Sequence, residues 1–257
     1  MTGDVHGQRV NVLGLPVAGI AISDAVSIFG DWIAQGAREY VTVTSAHGVV
    51  ECLRDVELSR IHRSAGLVVP DGMPVVWLAR AQGGRRTQRC YGPDLMLATL
   101  EASLDKGYRH YFYGGGDGVA ELLRTKMTGR FPGLDVVGCY TPPFRALNDA
   151  ESERIADEIN AAAPDFVWVG LSTPKQERWM AAFRSRLLAP VLVGVGAAFD
   201  FHAGLKPQAP RFLQRHGLEW AYRLASEPRR LGRRYLVVVP TFLLQAGLQI
   251  SGLKRFG

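Results

Sequence analysis

Cysteine is scarce in this chain and shows no pattern: Cys52, Cys90 and Cys139 are odd in number, widely spaced and without a CxxC pair. That argues against a disulfide framework or a zinc knuckle, and for a reducing compartment. His6, His62, His110, His202 and His216 have no i,i+4 histidine or neighbouring cysteine, and Asp200 with His202 is the nearest approach to a ligand pair. No metal or cofactor is therefore expected. The phosphate-loop pattern GxxxxGK[ST] is absent, which argues against a nucleoside triphosphatase, and the missing GxSxG argues against a hydrolase of that class. No uninterrupted apolar run reaches the roughly 20 residues that span a bilayer. The nearest, Leu236 to Leu253, is broken by Pro240, Gln245, Gln249 and Ser251 and reads as interfacial. The N-terminus lacks a basic flank followed by an apolar run, so secretion is not expected.

What is present is a substantial core and an uneven charge. The 257 residues are 47% hydrophobic, enough for one domain and an appendage. From Gly204 to Gly257 ten Lys/Arg stand against two acids, a local balance of +8, while the first 203 residues carry −2. A positive segment beside an apolar stretch seeks a phosphate, a nucleic acid or an anionic membrane. Trp220, Tyr222 and Tyr235 interleave with its arginines, as suits a lipid headgroup region. On a continuous helix Arg223, Arg230 and Arg234 fall within about 40° of one another, though Pro228 predicts a second helix starting after Ser226-Glu227.

Short apolar runs alternate with helix-length amphipathic segments, the pattern of a parallel α/β sheet. Strands are predicted at Val10–Leu13, Tyr40–Thr44, Leu67–Val69, His110–Tyr113, Asp135–Tyr140, Phe166–Gly170 and Val191–Val195. Helices are predicted at Ser23–Ala34, Pro93–Lys106, Val119–Arg130, Asp149–Ala162 and Lys175–Arg186. The expected architecture is α/β, a Rossmann-like, mostly parallel sheet with helices on both faces. It forms a catalytic domain over residues 1–203, with a C-terminal helical basic appendage over 204–257.

Ligands of such sheets bind outside the carboxyl ends of the strands. Thr42, Thr44 and His47 end the second predicted strand, and Pro70-Asp71-Gly72 follows the third. Asp71 reads either as an Asp-Gly turn or helix cap, or as a carboxylate held in a fixed direction for general-base work. His47 reads as a packed or capping residue or as a base. Gly114-Gly115-Gly116-Asp117-Gly118 can be a tight strand-to-helix turn or a phosphate cradle, but Val119 spoils GxGxxG, so a nicotinamide enzyme is a weak alternative. Gly170 opens the stretch through Ser172-Thr-Pro-Lys-Gln-Glu177. That stretch is a helix start that also places Lys175 and Gln176 at the edge, where they suit a ribose, a uracil edge or a phosphate.

Together these residues resemble the WecB/TagA/CpsF family of bacterial glycosyltransferases (glycosyltransferase family 26) over nearly the whole chain. The resemblance runs through Asn11-Val-Leu-Gly-Leu-Pro-Val17, Val69-Pro-Asp-Gly-Met-Pro74, Gly92-Pro-Asp-Leu95, Tyr113–Gly118, Phe131-Pro-Gly133, Gly170–Glu177, Gly194–Gly204, Ala209-Pro-Arg211 and Gly217–Arg230. It implies inverting, metal-independent transfer from a UDP-sugar donor to a polyprenyl-diphosphate-linked saccharide acceptor. The setting implied is cell-surface polysaccharide synthesis, peripheral on the cytoplasmic face of the bacterial plasma membrane. It also implies roles: Asp71 as base, Thr42 in catalysis, Gln176 at the nucleotide, and Arg223, Arg230 and Arg233 at the diphosphate. Where many members read Thr-x-Asn, this chain reads Thr42-Val43-Thr44. The hydroxyl is shorter than an amide and offers no separate donor and acceptor atoms, so the sugar contact there is expected to differ. Donor sugar, acceptor saccharide and homo-oligomeric state stay open. A nucleic-acid module would use the basic tail, but the near-neutral, loop-rich first 203 residues argue against one.

Overall fold

The computed structural model describes residues 8–257, the side chain of Arg230 excepted. The chain opens with an antiparallel hairpin, β1 (Arg9–Val12) and β2 (Leu15–Ala18), followed by α1 (Ile22–Gln35) and β3 (Glu39–Thr44). Then come α2 (Ala46–Cys52), α3 (Val56–Arg63), β4 (Leu67–Pro70), α4 (Met73–Ala81), α5 (Gly92–Ser103) and β5 (Arg109–Gly114). After α6 (Val119–Arg130), β6 (Asp135–Tyr140), α7 (Asp149–Ala161), β7 (Phe166–Gly170) and α8 (Lys175–Phe183) comes the last strand, β8 (Val191–Gly194). Four helices close the chain: α9 (Ala198–His202), α10 (Arg211–Arg215), α11 (Glu219–Ser226) and α12 (Pro228–Ile250).

Six strands form one parallel sheet in the order β4-β3-β8-β7-β5-β6. Its inner strands are apolar on both faces, as a sheet covered on both sides requires. In β7, Phe166 and Trp168 pack with α1, α5, α6 and α9, while Val167 and Val169 pack with α7 and α8. The second face also carries α2, α4, the β1–β2 hairpin and the inner side of α12, through Val238, Phe242 and Ala246. The Rossmann-like reading therefore holds, helices on both faces included.

One local reading changed and another was met. The predicted strand at Val10–Leu13 is not in the main sheet: it pairs only with β2, in register Arg9 to Ala18. Its turn, Leu13-Gly14, has positive φ at both residues. Such hairpins are signalled by Asn-Gly or Asp-Gly, and a leucine in that position gave no cue. At the other end the chain breaks as Pro228 predicted. Glu227 leaves helical geometry between α11 and α12, and Pro228 occupies the first turn of α12.

Candidate active site

The carboxyl ends of β3, β4 and β8 and the loop after β7 open into one cavity of about 600 Å³. Its roof comes from α11 and α12, so the basic tail lies over the sheet edge and does not trail from it. Asp71, His47, Gln176 and Arg223 all line this space.

Asp71 follows β4 directly, and its own N–H donates to the Thr44 carbonyl at 3.0 Å, which continues the ladder with β3 by one bond. The ladder fixes the residue's direction, and the Gly92 amide donates to its Oδ1 at 3.2 Å. Burial pushes its carboxyl up to about 6; Arg89 opposes that shift and Glu219 adds to it. A carboxylate with this poise is ionised at neutral pH yet accepts a proton far more readily than a solvated one.

Arg89 organises the region. Its Nε donates to the Asp71 carbonyl at 2.6 Å, its Nη1 to Gln214 at 3.1 Å, and its Nη2 pairs with Glu219. The guanidinium stacks 4.0 Å above the Tyr91 ring. One side chain thus joins the loop after β4 to α10 and α11. Glu219 in turn sits 3.9 Å from Arg223. Arg234, from α12, completes the basic side of the cavity, and its buried Nε has no hydrogen-bond partner among the described residues.

The same arginines govern His47. Burial first, then Arg234 and Arg223, pull its imidazole down to about 4. It is therefore neutral at pH 7, and its approach to Glu51 at 3.6 Å is not an ion pair there. Gln176 is buried, and its Nε2 donates to Glu177 at 3.2 Å. Its Oε1 is buried with no hydrogen-bond partner among the described residues, and the residue lines the cavity. Gly194 makes this placement feasible, since a Cβ there would come 3.0 Å from Gln176 Nε2 and 2.8 Å from Met180.

Other residues expected at the site lie around it. Thr42 and Thr44 are buried under its floor, their hydroxyls 3.3 Å apart, and Val43 lines the cavity between them. Gly114, Gly115, Gly170 and Lys175 belong to the adjoining edge. Gly114, at φ +123, comes so near Gly170 that a Cβ would stand 2.8 Å from its backbone, and the Gly115 amide donates to the Gly170 carbonyl at 3.0 Å. That is a tight turn with its amide engaged. Lys175 stands 4.5 Å above the Phe144 ring. Arg233 points outward and is exposed, and the side chain of Arg230 lies outside the described residues. Arg89, Gln214, Glu219 and Arg234 were not singled out as site residues from sequence. Arg234 had a signal in its helical spacing from Arg223, and Glu219 in the Gly217–Trp220 stretch. Arg89 had none, lying in an irregular loop.

Among the described residues no group of three or more His, Cys, Asp or Glu is arranged to hold a metal ion. The cavity gathers a proton acceptor, a neutral imidazole, a side-chain amide and three guanidinium groups. That set can deprotonate a hydroxyl while neutralising a departing oxyanion.

The sequence model described as "Glycosyl transferase WecG/TagA/CpsF family" matches residues 10–255. Relatives include proteins named N-acetylglucosaminyldiphosphoundecaprenol N-acetyl-beta-D-mannosaminyltransferase from three organisms. The one from Bacillus spizizenii is 28% identical over 212 residues, covering 82% of this chain and 80% of that protein. The one from Bacillus subtilis is 28% identical over 225 residues, covering 88% and 85%. The one from Staphylococcus aureus is 27% identical over 191 residues, covering 74% and 72%.

Proposed function

The chain belongs to the WecG/TagA/CpsF family of glycosyl transferases, and from that membership and the chemistry of the cavity we propose an inverting, metal-independent transfer from a UDP-sugar to a polyprenyl-diphosphate-linked saccharide. The observation that carries the reading is Asp71: a directed carboxylate, raised to about 6, in a cavity whose other wall is basic. In the proposed step Asp71 takes the proton of the acceptor hydroxyl as that oxygen attacks the anomeric carbon. The bond from that carbon to the UDP oxygen breaks, and the electron pair leaves on UDP. Arg223 and Arg234, with Arg89 behind them, offset the growing diphosphate charge. Gln176, which lines the cavity, contacts the nucleotide or its sugar, and His47, being neutral, serves as a hydrogen-bond partner. Thr44 supports the base from beneath through its carbonyl, and Thr42 acts at one remove, its hydroxyl 3.3 Å from that of Thr44.

The relatives' names supply the acceptor class, since each ends its acceptor in diphosphoundecaprenol. No helix among the described residues is long and apolar enough to cross a membrane. We place the enzyme peripherally on the cytoplasmic face, with the outer side of α12 and its exposed Val237 and Leu244 on an anionic bilayer. The test is a panel of UDP-sugars against N-acetylglucosaminyl polyprenyl diphosphate, following UDP release with and without chelator. Turnover that survives chelation and is lost in Asp71→Asn is expected. Turnover by Asp71→Asn near the parent rate would remove the base assignment, and chelator sensitivity would remove metal independence.

A further inference from the structure

The cavity has a second half that the chemistry above does not use. Beyond Asp71 and Gly72 the wall continues into α4 through Met73 and Trp77, and across from it stand Val239, Leu243 and Ile250 of α12, with Leu218 at the rim. Trp77, Leu243 and Ile250 are 48%, 64% and 59% exposed although they line a concavity. At about 100° per residue Val239, Leu243 and Ile250 fall within about 40° of one another, and Val237 and Leu244 lie about 130° round the helix from that stripe. α12 therefore presents one apolar stripe to the core, a second to the cavity and a third to the outside. From Val239 to Ile250 the second stripe runs roughly 16 Å at 1.5 Å per residue.

We propose that this groove between α4 and α12 holds the first isoprene units of a prenyl diphosphate, whose charged head lies where the groove meets the basic half of the cavity and, in the absence of a UDP-sugar, takes up its arginines. The proposal rests on the acceptor class given above and adds where its lipid goes. Continuity favours this occupant, because the apolar stripe opens into the basic half of the same cavity. A ligand filling both halves must be anionic at one end and hydrocarbon at the other. A peptide segment would bring backbone N–H and C=O groups that need partners, and the α4 and α12 side chains on this wall are almost wholly apolar. An uncharged isoprenoid makes no such demand, and it covers apolar surface otherwise left to water.

Two soluble probes share one head and differ in tail: farnesyl diphosphate and dimethylallyl diphosphate, titrated calorimetrically at fixed salt without detergent. The parent protein should bind the farnesyl compound at least tenfold more tightly, or about 1.4 kcal/mol. Trp77→Gln and Leu243→Gln should each erase most of that preference while leaving dimethylallyl diphosphate affinity unchanged. Leu188→Gln, at an equally exposed leucine on the opposite edge of the sheet, should leave both affinities alone. Equal affinity of the two probes in the parent overturns the groove, as does a preference that survives both groove variants. So does a dimer that Trp77→Gln dissolves, since a second copy would then fill the space. Failure of the proposed function looks different: a chain-length preference with no UDP-sugar turnover would retire the proposed donor and acceptor pair and keep the prenyl site.

Discussion

Asp71 shows the tension between a good base and a stable fold. Its carboxyl must be ionised to accept a proton, so kcat/KM should rise with pH through about 6 and level off above it. His47, held near 4, should add no second limb between pH 5 and 8. A profile whose acidic limb persists unchanged in Asp71→Asn would assign that limb to another group. The same shift is a stability cost. The folded value of about 6 lies above the ordinary 3.8, so the penalty is fully present above pH 6 and vanishes below the unfolded value. Asn keeps an acceptor for the Gly92 amide and removes the charge. Asp71→Asn should therefore abolish turnover yet stabilise the protein at pH 7.5 by about 2 kcal/mol, allowing for screening by water in the cavity. Urea melts at pH 7.5 and pH 4 check this, with the gain expected to shrink at the lower pH.

At the scale of elements the C-terminal helical segment, α10 to α12, is held at both ends by polar contacts. Near the cavity Arg89 ties α10 and α11 to the loop after β4. At the far end Gln249 Nε2 donates to the Asn11 carbonyl at 3.0 Å, its Oε1 accepts from the Leu13 amide at 3.0 Å, and Asn11 Nδ2 donates to the Phe256 carbonyl at 2.7 Å. The β1–β2 hairpin thus anchors the helix that carries Arg234. Gln249→Ala removes two of these bonds, about 1–2 kcal/mol together. Hydrogen exchange at Leu13 and the last turns of α12 should quicken while β5 and β7 stay protected, and kcat should fall with the donor's KM little changed. Unaltered exchange in α12 would show that apolar packing alone holds it. None of this was readable in advance. The main-sheet strands and the longer helices follow from local periodicity, and Asp71, His47 and Gln176 from their place after strands. The Asn11–Gln249 and Arg89–Glu219 contacts join residues 238 and 130 positions apart, and no local pattern encodes such pairs.

Over the whole molecule the charge divides into a body of −2 and a tail of +8, and the fold divides the tail's basic residues again. Arg223 and Arg234 face inward onto the cavity, where Asp71 and Glu219 leave a local excess of positive charge with Arg89. Arg229 and Arg233 are exposed on the outer surface of α12, beside an outward apolar stripe. Inward cations close to a desolvated reaction centre are screened little, whereas outward ones act across water and salt. The two sets should separate experimentally. Arg234→Ala should lower kcat at least tenfold in detergent while vesicle association changes less than twofold. Arg229→Ala with Arg233→Ala should leave detergent-assayed kcat intact and weaken association with anionic vesicles. At about 1 kcal/mol per surface cation the double change amounts to roughly thirtyfold at low salt, a difference that 0.5 M salt should largely erase. Sedimentation with anionic and neutral vesicles over a salt series measures the second effect, and UDP release measures the first. If both sets of variants lose catalysis and attachment in equal proportion, α12 acts as one surface. The basic tail would then owe its effect on turnover to bringing the enzyme to the lipid, and not to the cavity it roofs.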